Sequence, residues 1–256
     1  MPELKVAAIP AFADNYIWLI STGGRHCAVV DPGDANPVLE KLQQDGLDLA
    51  AILLTHHHAD HIGGVAQLVE ATGAAVFGPD DPRIGGRFTA LGDGETVELA
   101  ALGIDFAVME VPGHTASHIA FHGHGCLFCG DTLFSVGCGR LFEGSPAQMQ
   151  DSLDRIAALP PETQIYCAHE YTLSNCEFAL AVEPGNSDLQ RRAAEVKRCR
   201  AEGRITLPST LAQELKVNPF LRTREASVVN AARQRDRAAC AGDSTLAVIR
   251  AWKDGF

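Results

Sequence analysis

The chain has 256 residues, 46% hydrophobic and 21% charged, enough to bury a sizeable core as one large domain or as a large and a small one. Its formal net charge of −11 at pH 7 argues against a nucleic-acid binder, which needs a basic face. No apolar run approaches the roughly 18 residues of a membrane span, and the opening MPELKVAAIPAF lacks a basic stretch leading into a long apolar one. Neither export nor membrane insertion is expected, and the expected location is the cytoplasm.

In chain order, short β-type runs come first: NYIWLI, CAVVD, AAILLTH, AAVFG, IDFAVMEV, IAFHG, CLFCGD and QIYCAH, separated by glycine-rich turns. Helical patterns interrupt them at 36–44, 62–71 and 146–159. After His169 the strand signals nearly vanish, and helices are expected over 174–181, 189–202, 210–216, 225–239 and 244–253. Charge divides at the same place. Residues 1–168 carry 7 Lys and Arg against 21 Asp and Glu, a balance of −14, whereas residues 169–256 carry 14 against 11, a balance of +3. The expected organisation is an α/β domain over 1–168 followed by a small all-helical domain over 169–256.

The eight cysteines are scattered through mostly apolar segments of a chain too long to depend on disulfide staples, so they read as reduced. Cys126 and Cys129 form one C-x-x-C with no second pair to complete a zinc site, and read as core residues.

Chemistry concentrates in LLTHHHADHIGG, Leu53 to Gly64. If the residues after Thr55 stay extended, His56, His58 and Asp60 point one way and His57 the other, with His61 beginning a helix. Imidazole and carboxylate suit zinc, iron or manganese, and more than three such groups suit two ions. Gly63 and Gly64 would let the backbone pass close to whatever those groups hold. Three further strand ends add candidates: His114 in VPGHT, Asp131 in CGDTLF and His169 in CAHEY. Rigid strands deliver preorganised ligands, which gives the shared context its weight. Asp31 in VVDPGD either orients a metal ligand or only forms the turn before Pro32. His26, His122 and His124 lie in turn-like places and are expected to face solvent.

T-H-x-H-x-D-H, G-H-T, G-D-T and a later strand-end histidine resemble the metallo-β-lactamase superfamily, an αββα sandwich of two sheets flanked by helices. FADNYIWLI, VVDPGD, GDTLFSVGCGRLFEG, HEYTLSN and the closing R-x-x-K resemble, along essentially the whole chain, the glyoxalase II or hydroxyacylglutathione hydrolase family within it. The resemblance implies two divalent ions, zinc foremost with iron or manganese as alternatives. His56, His58 and His114 would hold one ion and Asp60, His61 and His169 the other, with Asp131 bridging. Asp60 and Asp131 are thereby the carboxylates implied in catalysis. The two ions keep a net positive charge against two carboxylates, which favours ionising a water to attack a thioester.

The implied substrate is an S-(2-hydroxyacyl)glutathione, chiefly the D-lactoyl thioester formed in methylglyoxal detoxification. Arg140, Phe142, Tyr171, Arg250 and Lys253 are the implied glutathione contacts, and a monomer is expected. His118 matches a family histidine placed to hydrogen-bond behind the ligands. Two departures stand out: Ser117 where glycine is expected, and Phe142 where relatives have tyrosine, one hydroxyl contact fewer. Without the resemblance, Arg250 and Lys253 would read as a solvated helix face. The alternatives are a persulfide dioxygenase or lactone hydrolase of the same superfamily, a superfamily nuclease, or a non-catalytic metal-binding protein; the last expects missing ligands, and none is missing.

Overall fold

The computed structural model describes residues 4–256, which pack as two compact units. The first unit runs to Glu110 and includes Ser117–Gly130; the second comprises Val111–Ala116 and Asp131–Phe256.

In the first unit, strands β1 (Lys5–Ala11), β2 (Asn15–Ser21), β3 (His26–Val30), β4 (Asp48–Leu53), β5 (Ala75–Pro79) and β6 (Thr89–Leu91) form one sheet in sequence order. The β1–β2 and β2–β3 pairs are antiparallel, and the pairs from β3 to β6 are parallel. β2 is buried over six consecutive residues because it is covered on both faces, which is why it reads as a continuous apolar run rather than an alternating one. β1 was not legible because KVAAIPA contains Pro10; as the edge strand it tolerates a missing N–H. Helices α1 (Ala35–Asp45) and α3 (Val65–Thr72) lay Val38, Leu42 and Leu68 on Ile17, Leu19, Val29 and Ile52 of this sheet. Each such buried aliphatic side chain stabilises by about 1.5–3 kcal/mol. Asp34 caps α1 by accepting from the Asn36 amide at 2.9 Å, and Gly46 ends it in the left-handed region.

Strands β7 (Thr96–Leu99), β8 (Ile104–Glu110), β9 (Ile119–Gly123) and β10 (Cys126–Gly130) pair antiparallel from β7 to β10 in a second sheet. β8 alternates buried Ile104, Phe106 and Val108 with exposed neighbours, so one of its faces meets the core. His122 lies within β9 and is half-buried rather than solvent-facing, whereas His26 and His124 are exposed.

The second unit holds two short antiparallel pairs, β11 (Leu133–Phe134) with β12 (Gly137–Cys138), and β13 (Gln164–Cys167) with β14 (Ser209–Thr210). Its helices are α4 (Pro146–Ala157), α5 (Thr172–Val182), α6 (Ser187–Ala201), α7 (Leu211–Val217), α8 (Ala226–Arg233) and α9 (Asp243–Asp254). Val136, Cys176, Ala179, Leu189, Val196 and Val217 form a core among them. α8 stops six residues before the expected Ala239, because QRDR offers no further apolar face and the Arg233 side chain turns back to donate to the Ala239 carbonyl.

The second unit takes in β13, just before His169, together with the helical tail, and β13 pairs with β14 of that tail. All eight cysteines are free, seven of them buried and Cys240 exposed.

Candidate metal centre

β4 ends at Leu53 and the chain stays extended only to His58, which caps the short helix α2 (Ala59–Ile62). Asp60 and His61 therefore leave successive helical positions, which corrects the extended alternation expected through Asp60. Gly63 and Gly64 also have a different role from the expected one. A Cβ on either would strike backbone of the 32–35 loop, at 2.6 Å from the Gly33 oxygen and 2.5 Å from the Ala35 nitrogen. They make room for that loop.

In the first unit His56 and His61 are fully buried, with ring centroids 4.1 Å apart, and the His56 Nε2 lies 3.1 Å from the His58 Nδ1. The partners fix the tautomers. Asp31 Oδ1 accepts from the Thr55 amide at 2.8 Å and Oδ2 from the Thr55 hydroxyl at 2.7 Å. With its hydrogen committed to Asp31, Thr55 Oγ1 accepts from the His56 Nδ1–H at 3.0 Å. Asp31 Oδ2 also accepts from the His61 Nδ1–H at 3.0 Å. Asp31 thus orients His61 directly and His56 through Thr55, which resolves the open reading of VVDPGD in favour of orientation. His61 Nε2 then turns its lone pair toward Asp60 Oδ2, 3.4 Å away, and the Asn15 amide donates to that oxygen at 3.0 Å. Buried Asp31, His56 and His61 also gather as one potential ligand group.

His57 turns its Nδ1 toward the buried Asp81, 3.4 Å away, and its side chain is only 11% exposed. His118, completely buried, stacks on the His56 ring at 4.6 Å and 17° and donates from Nδ1 to the Ile119 carbonyl. It supports His56 through its ring face. Gly130 closes the same corner: its φ is 48°, and a Cβ would lie 2.3 Å from Thr55 Oγ1 and 2.9 Å from His118 Nε2.

The second unit gathers its own group around Asp131. His114 Nδ1–H donates to the Arg140 carbonyl at 2.9 Å, so its Nε2 lone pair faces Asp131 Oδ2 at 3.5 Å. His169 Nε2 faces the other oxygen, Oδ1, at 3.4 Å. All three residues are buried, at 4%, 7% and 4% exposure for His114, Asp131 and His169. An imidazole lone pair and a carboxylate oxygen repel across such a gap unless a cation lies between them, and His61–Asp60 and His114–Asp131 are two gaps in which the Nδ1 partner leaves Nε2 with its lone pair. Imidazoles with carboxylates are the donors of borderline divalent ions, so the residues present fit a metal on the grounds of donor chemistry and tautomer.

The expected substrate contacts also lie in this unit. Tyr171 stacks on His169 at 4.7 Å and 6°, with Phe134 edge-on to both rings. Phe142 is 62% exposed and meets His114 edge-on at 5.2 Å. Arg140 lies 3.3 Å from Asp254 and is largely exposed. Arg250 is 4% exposed and so is no solvated helix face. It donates from Nη1 to the Cys138 carbonyl at 2.7 Å and from Nη2 to Asp254 at 3.1 Å, its guanidinium over the Phe220 ring. Lys253 sits 5.1 Å over the Phe178 ring, and burial, followed by repulsion from Arg250, lowers its pKa to about 8. Asp254, which gathers Arg140 and Arg250, gave no signal in the sequence.

Nor did the groups that hold the β11–β12 hairpin. Glu214, completely buried, accepts from the Ser135 hydroxyl and the Val136 amide at 2.9 and 2.7 Å, and Asn218 donates to the carbonyls of Phe134 and Gly137. Burial pushes the Glu214 carboxyl up, and these donors oppose the shift.

Residues 12–169 match the family model described as Metallo-beta-lactamase superfamily, and residues 170–256 match that described as Hydroxyacylglutathione hydrolase C-terminus. The chain is 54% identical over 256 residues to the hydroxyacylglutathione hydrolase of Pseudomonas fluorescens, covering 99% of this chain and 100% of that protein. It is 55% identical over 255 residues to the one of Photobacterium profundum, with the same coverage. Among solved structures, ETHE1 from Myxococcus xanthus superposes with a TM-score of 0.64 at 24% identity, covering 98% of each chain. TTHA1623 in a di-iron-bound form superposes with a TM-score of 0.60 at 28% identity, covering 85% of this chain and 100% of that one. The fold is the expected metallo-β-lactamase fold with a helical C-terminal region.

Proposed function

The chain belongs to the hydroxyacylglutathione hydrolase family of the metallo-β-lactamase superfamily, and from that premise we propose that it hydrolyses S-(2-hydroxyacyl)glutathione, chiefly S-D-lactoylglutathione, to glutathione and D-lactate. The family's reaction is thioester hydrolysis: water adds to the acyl carbon, the C–S bond breaks and the thiolate leaves. A thiol pKa of about 8.5 means that the leaving group needs little protonation. In our assignment His56, His58 and His114 would hold one divalent ion, Asp60, His61 and His169 would hold the second, and Asp131 would complete the set. When bound, such a pair supplies Lewis acidity that ionises water near neutral pH and stabilises charge on a carbonyl oxygen. We assign zinc to both positions, with iron, described for one solved relative, and manganese as the alternatives.

The observation that carries the reading is the tautomer control. Asp31 and the Arg140 carbonyl hold the Nδ1–H of His61 and His114, so that each ring presents its Nε2 to a carboxylate. Residues 169–256, with Arg140, then act as the glutathione-binding region. Tyr171 offers a hydroxyl beside His169, while Arg140, Arg250 and Lys253 place cations for the peptide's carboxylates. We also assign the protein to the cytoplasm as a monomer; no helix among the described residues is long and apolar enough to cross a membrane.

The test is S-D-lactoylglutathione hydrolysis before and after chelation, with metal content measured per chain. Loss of turnover with the metal, restoration on reloading and two ions per chain support the reading. Hydrolysis that survives complete metal removal would sink it.

A further inference from the structure

Asp81 precedes the Ile84 turn, far from the ligand motif in sequence, yet it is only 2% exposed. Its Oδ1 accepts from the Arg83 amide and Nε at 2.9 and 2.8 Å, and its Oδ2 accepts from Arg83 Nη2 at 2.7 Å and from the Ser117 hydroxyl. The Arg83 contacts, and after them the Ser117 hydrogen bond, hold the carboxyl well below the ordinary carboxylate range against the opposing effect of burial, so it stays ionised. The same Oδ2 lies 3.4 Å from His57 Nδ1. One buried carboxylate therefore meets two chain segments. The 56–58 segment carries two expected ligands, and the 117–119 segment carries His118, which stacks on His56. Those segments also touch directly, since the Ile119 amide donates to the Thr55 carbonyl at 2.9 Å.

We propose that Asp81 is a positioning residue for the metal centre: through His57 and Ser117 it ties the segment bearing His56 and His58 to the segment bearing His118, and so fixes the spacing of the ligands. His57, placed between two ligands without facing them, is the lever of this device. Ser117, at a position where glycine is expected, supplies a hydroxyl that glycine cannot. A backbone that moves by a few tenths of an ångström at His57 moves both neighbouring imidazoles, and metal affinity depends steeply on how the groups behind the ligands hold them. The inference rests on the two-metal reading above.

The test uses zinc-loaded full-length protein and follows transfer of zinc to a chromogenic chelator at a temperature where every variant is folded by circular dichroism. His57→Ala and Asp81→Asn should release zinc about tenfold faster than the wild type, the low end of the cost of losing a partner bonded to a ligand, because Asp81 reaches the ligands only through their chain neighbours. Ser117→Ala should release it faster by a smaller factor, and His57→Gln, which keeps a polar N–H facing Asp81, should return to within a few-fold of the wild type. A merely structural role would not give rescue by the donor-bearing glutamine. Should Asp81→Asn fail to fold, His57→Ala, His57→Gln and Ser117→Ala decide the matter alone. Wild-type release rates in both His57→Ala and Ser117→Ala, or equal rates for His57→Ala and His57→Gln, would overturn the proposal. A wild type that binds no stoichiometric zinc would instead overturn the metal reading itself.

Discussion

Lys253 gives the sharpest quantitative prediction. Its ammonium lies over the Phe178 ring in a half-buried site next to Arg250, and burial lowers its pKa to about 8. A base with a lowered pKa is charged below that value and neutral above it, so an ammonium–carboxylate contact is fully present at neutral pH and lost as pH rises through about 8. The protonated fraction falls from about 0.9 at pH 7 to about 0.03 at pH 9.5. If only the ammonium binds the glutathione carboxylate, KM should rise about thirtyfold over that range. The rise corresponds to about 2 kcal/mol, inside the range of a charge-assisted hydrogen bond. Because the contact holds a remote part of the substrate, kcat should not follow the same curve. The assay is initial-rate hydrolysis of S-D-lactoylglutathione across this range, with the uncatalysed rate subtracted. Lys253→Arg is the internal control: a guanidinium keeps its charge throughout, so the wild-type to Lys253→Arg ratio of KM cancels every other titration. A ratio that stays flat through pH 9.5 would refute the reasoning. A short thioester without the glutathione peptide should show no pH-dependent difference between the two proteins.

Other substitutions separate structure from binding. Arg250→Ala removes the donor to the buried Cys138 carbonyl and the cover over Phe220, so it should cost about 2–4 kcal/mol and lower Tm by roughly 5–15 °C by calorimetry, besides raising KM; an unchanged Tm would contradict the buried role. Asp131→Ala should lose both ions and all turnover, read by elemental analysis, whereas one ion per chain in a fully active wild type would exclude the dinuclear assignment. Asn15→Ala strips Asp60 of its amide donor and should weaken one ion about ten- to a hundredfold, so that dialysis against a mild chelator leaves metal content near one per chain; retention of both ions would remove Asn15 from the site.

The sequence determined the kinds of groups and their delivery. Fully covered strands must be apolar throughout, so runs such as NYIWLI and AAILL announced themselves, and a change from apolar residues to histidine or aspartate at a strand end marks where the chain leaves the core. His56, His58, His114, Asp131 and His169 stand out as candidates for that reason, and Asp60 and His61 by following them directly in the chain. Even the turn chemistry of α1, with Asp34 at one end and Gly46 at the other, follows from local preference. The tertiary structure alone decided how each group is held. Thr55 lies 24 residues from Asp31, Asn15 lies 45 from Asp60, and Ser117 lies 36 from Asp81. None of these pairs leaves a periodic trace, because a hydrogen bond between distant segments depends on how the sheets and loops pack and not on what stands nearby in the chain. Burial is the clearest case. At the end of an amphipathic helix Arg250 and Lys253 look alike, and only packing against Cys138, Phe220 and Phe178 makes one a buried cation and the other a base poised to lose its proton near pH 8.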